Sequence, residues 1–166
     1  FQCKLCEVQC PYTPRDNHQF KLDFPKLVHR YDAHKTRKEG LEGMTCLISG
    51  SGNVAQYTAE KLFNMGAKPV TMSDSGGYIY DEAGIDDQKL AFLMDLKNVR
   101  RGRISEYADK FKSAVYTPFD PNLDHNPLWS HKAQCAFPSA TQNEINGKDA
   151  LNMLRNGVYV VSEGAN

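Results

Sequence analysis

Beyond residue 40, short apolar runs alternate with stretches whose apolar side chains return every three or four positions. MTCLIS at residues 44–49 is the first run, and its β-favouring residues predict a strand. In NVAQYTAEKLFNMG, Val54, Thr58, Leu62 and Met65 recur at helical spacing, with Gly66 as the stop. KPVTMS at residues 68–73 predicts a second strand, DSGG a turn and YIYD a short extended piece. DDQKLAFLMDLKNV at residues 86–99 predicts an amphipathic helix that gathers Leu90, Leu93, Met94, Leu96 and Lys97 toward one side. ISEYADKF predicts a helix and SAVYT a strand; a loop with Pro118, Pro121 and Pro127 follows. KAQCAF, GKDALNMLRNG and VYVVSEG then read as strand, helix and strand. This alternation specifies an α/β fold, a Rossmann-like parallel sheet with helices on both faces.

Residues 1–40 follow another grammar. They carry prolines at 11, 14 and 25 and no long periodic segment, which predicts a mostly irregular, cysteine-rich stretch with a short helix over residues 24–31. HKTRKEG is a charged linker, so the domain boundary is expected at residues 40–41.

Charge narrows the partners. Lys+Arg and Asp+Glu both number 20, for a formal net charge of zero. With no polybasic run, nucleic acid and anionic membrane are not expected as partners. No apolar stretch reaches the roughly 18 residues of a membrane span. The cysteine count is odd, five, and no secretory start precedes it. A reducing, cytoplasmic setting is expected rather than a disulfide framework. A chain that starts with Phe1 and stops at SEGAN reads as a fragment.

Gly50-Ser51-Gly52-Asn53-Val54-Ala55 fits G-x-G-x-x-A between a predicted strand and a predicted helix. Gly50 allows the tight turn, Gly52 lets a pyrophosphate approach the backbone, and Ala55 lets helix and strand pack closely. The helix N-terminus then offers N–H groups and a positive dipole end to the phosphates. The bland alternative is a structural turn. Asp74 ends the second strand, where an acid ordinarily accepts ribose hydroxyls and favours NAD. Ser51, Ser75, Lys97 and Arg100 could instead hold a phosphate. Read alone, Lys97 and Arg100 equally belong to the solvated face LKNVRRGR.

Five blocks together, LEGMTCLISGSGNVAQYTAEKL, SDSGGYIYDEAGID, KLAFLMDLKNVRRGRISEYADKF, ATQNEINGKDA and NGVYVVSEGAN, resemble the coenzyme domain of hexameric NADP-dependent glutamate dehydrogenases over residues 41–166. The resemblance implies an NADP(H) site with Ser51, Asp74, Ser75, Lys97 and Arg100 at the 2′-phosphate. It also implies Ala140, Thr141, Gln142 and Asn143 at the nicotinamide ribose and Asn166 near the nicotinamide amide. Without it, Thr141 reads as a helix N-cap and Asn166 as a loop residue. Gln134, Ser139 and the longer loop DPNLDHNPLWSH depart from the family pattern. The catalytic lysine and aspartate of the family belong to a substrate domain with no counterpart here, so no catalytic residue is assigned. Conversion of L-glutamate to 2-oxoglutarate and ammonia would belong to the complete enzyme, homohexameric in the family; a monomer or weak association is expected of this chain.

Cys3-x-x-Cys6-x-x-x-Cys10-Pro11 carries the last three cysteines and the proline of a bacterial iron–sulfur loop. Residues 1–35 are similar to a segment of 4Fe-4S oxidoreductase subunits. The expected options are a 4Fe-4S cluster, zinc with His18 as a fourth ligand, or free thiols. Two rival functions follow: an iron–sulfur electron-transfer protein, or a non-enzymatic nucleotide-binding fragment.

Overall fold

The computed structural model describes residues 40–164. The chain divides after Gly40 into two units, and the second, Leu41–Asn166, is the one described. The helix expected over residues 24–31, the cysteines 3, 6 and 10 with His18, and Asn166 lie outside the described residues.

The expected α/β fold is present. Strand β1 (Thr45–Ile48) leads into helix α1 (Asn53–Asn64), then to β2 (Lys68–Pro69) and β3 (Thr71–Asp74). β4 (Gly77–Asp81) is followed by α2 (Asp87–Met94), a π-helical turn (Asp95–Val99) and α3 (Ser105–Lys110). β5 (Ala114–Pro118), a 3-10 turn (Pro127–Ser130), β6 (Cys135–Phe137), α4 (Gly147–Arg155) and β7 (Val160–Val161) complete the order. β2, β1, β6 and β7 pair in parallel in that order, with Cys46 beside Pro69 on one flank and beside Cys135 on the other.

β3, β4 and β5 form an antiparallel sheet, which the alternation of strand and helix did not foretell. Ser75 and Gly76 alone separate β3 from β4, and so short a turn can join only antiparallel neighbours. Between β4 and β5 the chain makes two helices, where a parallel neighbour takes one. Between the backbone bonds from the Val70 N–H to the Cys46 carbonyl and from the Ser73 N–H to the Gly50 carbonyl, the two sheets are joined through a side chain. Thr71 Oγ1 accepts from the Ile48 N–H at 2.8 Å and donates to the Ile48 carbonyl at 3.0 Å. A hydroxyl therefore does the work of a backbone ladder between β1 and β3.

The period of two along the strands sorts the core onto two faces. Cys46, Ile48, Met72, Ile79 and Cys135 pack with Ala55, Ala59 and Leu62 of α1, Leu90 and Leu93 of α2, and Tyr107 of α3. Leu47, Val70, Tyr78 and Ala136 pack on the other face with Leu128, Trp129 and Met153. Helices cover both faces, as expected. The buried side of α1 differs from the predicted one: Ala55, Gln56, Ala59 and Leu62 are inside, while Val54 is 46% and Met65 37% exposed. Close approach of α1 to β1 selects small alanines at Ala55 and Ala59, while Leu62 stays inside and Val54 and Tyr57 point outward. The predicted helix over residues 86–99 widens into the π turn after Met94, and this keeps Leu96 buried beside Leu93.

Candidate coenzyme site

The carboxyl ends of β1, β3 and β6 are stitched together by serines. The Gly50 N–H donates to Ser73 Oγ at 2.7 Å, the Ser73 N–H to the Gly50 carbonyl at 3.0 Å, and the Ser139 N–H to Ser49 Oγ at 2.9 Å. This is the edge of a parallel sheet where ligands settle. A cleft of about 570 Å³ opens there, lined by Gly50, Ser51, Gly52, Asn53, Val54, Ser73, Asp74, Ser75, Ser139, Ala140 and Thr141, with Phe119, Asn126 and Glu144.

The two glycines of the turn answer to different constraints. Gly50 has φ +81°, and a Cβ there would lie 2.8 Å from the Ser139 carbonyl oxygen. Gly52 has φ −78°, a conformation open to any residue, and a Cβ there would meet nothing within 4 Å. The protein needs Gly50 for its own packing; the space over Gly52 faces the cleft. Gly52 is the N-cap of α1, with no side-chain cap, and the first turn of α1 holds no acidic residue. That leaves an uncompensated positive dipole end beside the cleft.

Asp74 is fully engaged within the protein. Its Oδ2 accepts from Lys97 Nζ at 3.2 Å and from the Ile104 N–H at 3.0 Å, and its Oδ1 from the Gly76 N–H at 2.9 Å. Burial pushes this carboxyl up, but the bonds from Ile104, Gly76 and Lys97 outweigh it and hold the acid below its ordinary range. Lys97 Nζ also donates to the Gly102 carbonyl at 3.0 Å. Beside it, Arg103 Nη1 donates to Ser75 Oγ at 2.9 Å. Ser75 and Asp74 line the cleft, so Lys97 and Arg103 stand directly behind its wall.

Arg100 is placed differently. Its Nε donates to Asp95 Oδ2 at 2.8 Å, its Nη1 lies 3.6 Å from Glu106 Oε2, and its guanidinium sits over the Phe92 ring. Gln142 and Asn143 are not among the cleft-lining residues, whereas Ala140 and Thr141 are. Thr141 is no helix N-cap: α4 starts at a capping box built by Asn146 and Asp149. Arg103 escaped the sequence reading because RRGR offers three equivalent arginines. Across the left-handed backbone of Arg101, φ 54°, Arg100 turns to Asp95 and Arg103 reaches Ser75. Phe119, Asn126 and Glu144 arrive from the long proline loop and the turn before α4, and no motif marks them. The departures are absorbed: Gln134 Oε1 accepts from the Thr45 N–H at 2.8 Å, and Ser139 Oγ donates to the Phe137 carbonyl.

A glycine turn between a strand and a bare helix N-terminus, at the carboxyl edge of a doubly covered sheet, is the arrangement by which α/β domains of the Rossmann class seat dinucleotides. The family model described as Glutamate/Leucine/Phenylalanine/Valine dehydrogenase matches residues 28–166, and the chain belongs to that family. The match starts before residue 41, so part of the segment likened to iron–sulfur subunits lies within the dehydrogenase family. It starts after Cys3, Cys6 and Cys10, and the iron–sulfur resemblance finds no support in it. Among the described residues, no cluster of three or more His, Cys, Asp or Glu could hold a metal.

The chain is 58% identical over 135 residues to the NAD(P)-specific glutamate dehydrogenase of Xylanibacter ruminicola, covering 81% of this chain and 29% of that protein. It is 54% identical to an NADP-specific glutamate dehydrogenase of Helicobacter pylori, again covering 29% of the relative and 78% of this chain. Among solved structures, Plasmodium falciparum glutamate dehydrogenase superposes with a TM-score of 0.73 at 38% identity, covering 82% of this chain and 28% of that one. The chain thus spans less than a third of the length of these relatives.

Proposed function

We propose that this chain is the coenzyme-binding part of an NADP(H)-dependent glutamate dehydrogenase, which interconverts L-glutamate with 2-oxoglutarate and ammonia. The space held open over Gly52, in a cleft whose Asp74 and Ser75 are backed by Lys97 and Arg103, carries the reading. The backbone of residues 50–54 seats the diphosphate against the N-terminus of α1. Ser75, Lys97 and Arg103 hold the ribose 2′-phosphate, with Ser51 in the turn beside it. Asp74, already occupied by three donors, orders that wall rather than accepting ribose hydroxyls. Ala140 and Thr141 flank the nicotinamide ribose, with Gln142, Asn143 and Asn166 completing that end. When bound, the nicotinamide supplies the hydride chemistry; this chain supplies its placement. Domain boundaries at residues 1–40 and 41–166 belong to the same reading, as does a monomeric or weakly associating chain.

Fluorescence titration with NADPH and NADH tests it. Lys97→Ala removes a charge-assisted contact to the 2′-phosphate, and the expected loss for NADPH is ~1.5–3 kcal/mol, with NADH barely changed. An equal loss for both coenzymes refutes the assignment.

A further inference from the structure

Gln56 is a buried amide, 1% exposed, on the inner side of α1. Its Nε2 donates to the Ser51 carbonyl at 2.8 Å and to Asn98 Oδ1 at 3.1 Å. Its Oε1 accepts from Asn98 Nδ2 at 2.9 Å. Asn98 stands at the surface, next in sequence to Lys97, inside the π-helical turn Asp95–Val99. A π turn closes wider rings than an α-helix, the Arg100 N–H reaching back to the Asp95 carbonyl here, and such single turns frequently mark functional sites. One amide pair therefore ties the glycine turn at Ser51, which lines the cleft, to the π turn that carries Lys97 behind the cleft wall.

We propose that the Gln56–Asn98 pair is a positioning device for coenzyme selection. It fixes the turn bearing Lys97 relative to the glycine turn, so that the 2′-phosphate site is built before the coenzyme arrives. The inference rests on the NADP(H) reading. Loss of preorganisation lowers affinity without removing a ligand contact. Because the pair acts through Lys97, its loss falls on NADPH and spares NADH. A pair that merely fastened α1 to α2 would affect both coenzymes alike.

A mutant cycle on the full 166-residue chain separates these cases. Wild type, Lys97→Ala, Asn98→Ala and the double variant are titrated with NADPH and NADH, and melting temperatures are recorded alongside. Two amide hydrogen bonds predict that Asn98→Ala weakens NADPH about three- to tenfold and NADH by less than about twofold. In the Lys97→Ala background, the same change should move NADPH by less than about twofold. Equal loss for both coenzymes, no loss, or a full NADPH loss persisting without Lys97 overturns the inference. If Lys97→Ala lowers NADPH preference while Asn98→Ala does not, the inference alone falls. If Lys97→Ala leaves that preference intact, or the wild type binds neither coenzyme, the coenzyme reading fails and the inference goes with it.

Discussion

Gly50 and Gly52 stand two positions apart, yet a methyl group added to each should fail in different assays. At Gly50 the left-handed backbone and the Ser139 carbonyl 2.8 Å from a Cβ make substitution a folding problem. Gly50→Ala is expected to cost about 1–3 kcal/mol of stability, read as a lowered melting temperature. At Gly52 the conformation is ordinary and the neighbourhood open, so Gly52→Val should fold and melt near the wild type. Its NADPH affinity should drop by about a hundredfold, because the branched side chain occupies the diphosphate's place. A Gly52→Val protein that binds normally removes the diphosphate from this turn. At this scale the sequence exposed what lies within one local motif, residues 50–55, where spacing and chemistry coincide. Arg103, Phe119, Asn126 and Gln56 were hidden because their roles arise from contacts 28 or more positions apart, or from a buried amide that composition reads as helix surface.

The strands and helices were legible because each has a single dominant period, and the largest discrepancies fall where packing overrides it. On α1 the evenly spaced Val54, Thr58, Leu62 and Met65 suggested one face, but only Leu62 of the four is buried, and Ala55, Gln56 and Ala59 complete the inner face. In residues 68–74 one predicted strand became two short ones, since β2 pairs with β1 and β3 with β4. Between them Thr71 serves as the joint. Its hydroxyl satisfies both the N–H and the carbonyl of Ile48, which is fully buried. Thr71→Val keeps the shape and deletes the hydroxyl, leaving both groups unpaired. The expected cost is about 2 kcal/mol or more, measured by urea unfolding. Thr71→Ser keeps the hydroxyl and should retain most of the stability. A larger loss for Thr71→Ser than for Thr71→Val would mean that the methyl packing, and not the hydroxyl bridge, carries the stability.

Among the described residues, a buried charge cluster centred on Asp81 ties β4 to two helices. Asp81 is fully buried, and its Oδ2 accepts from Lys89 Nζ and Tyr107 Oη, both at 2.7 Å; this binds β4 to α2 and α3. Burial raises its carboxyl, but bonds from Lys89, Tyr107 and Ser113 outweigh that and hold it below the ordinary value of 3.8. A depressed folded-state value means the contribution is present at neutral pH and is lost as pH falls below about 4. Asp81→Asn should therefore cost about 3 kcal/mol at pH 7, and the gap to wild type should narrow in urea titrations toward pH 2. A gap that stays constant with pH would mean that shape, not charge, is what Asp81 supplies. The coenzyme cleft presents the opposite case. Its ionisable lining residues are Asp74 and Glu144, the first held by three donors and the second accepting from the Ala140 N–H at 3.1 Å. Both carboxylates accept from the protein's own donors, and among the described residues no lysine or histidine lines the cleft. On the proposed reading, the 166-residue chain is expected to bind NADPH without glutamate turnover. Glutamate-dependent formation of NADPH by the purified chain, freed of host enzyme, would show that proton-transfer groups reach this cleft by a route its walls do not reveal.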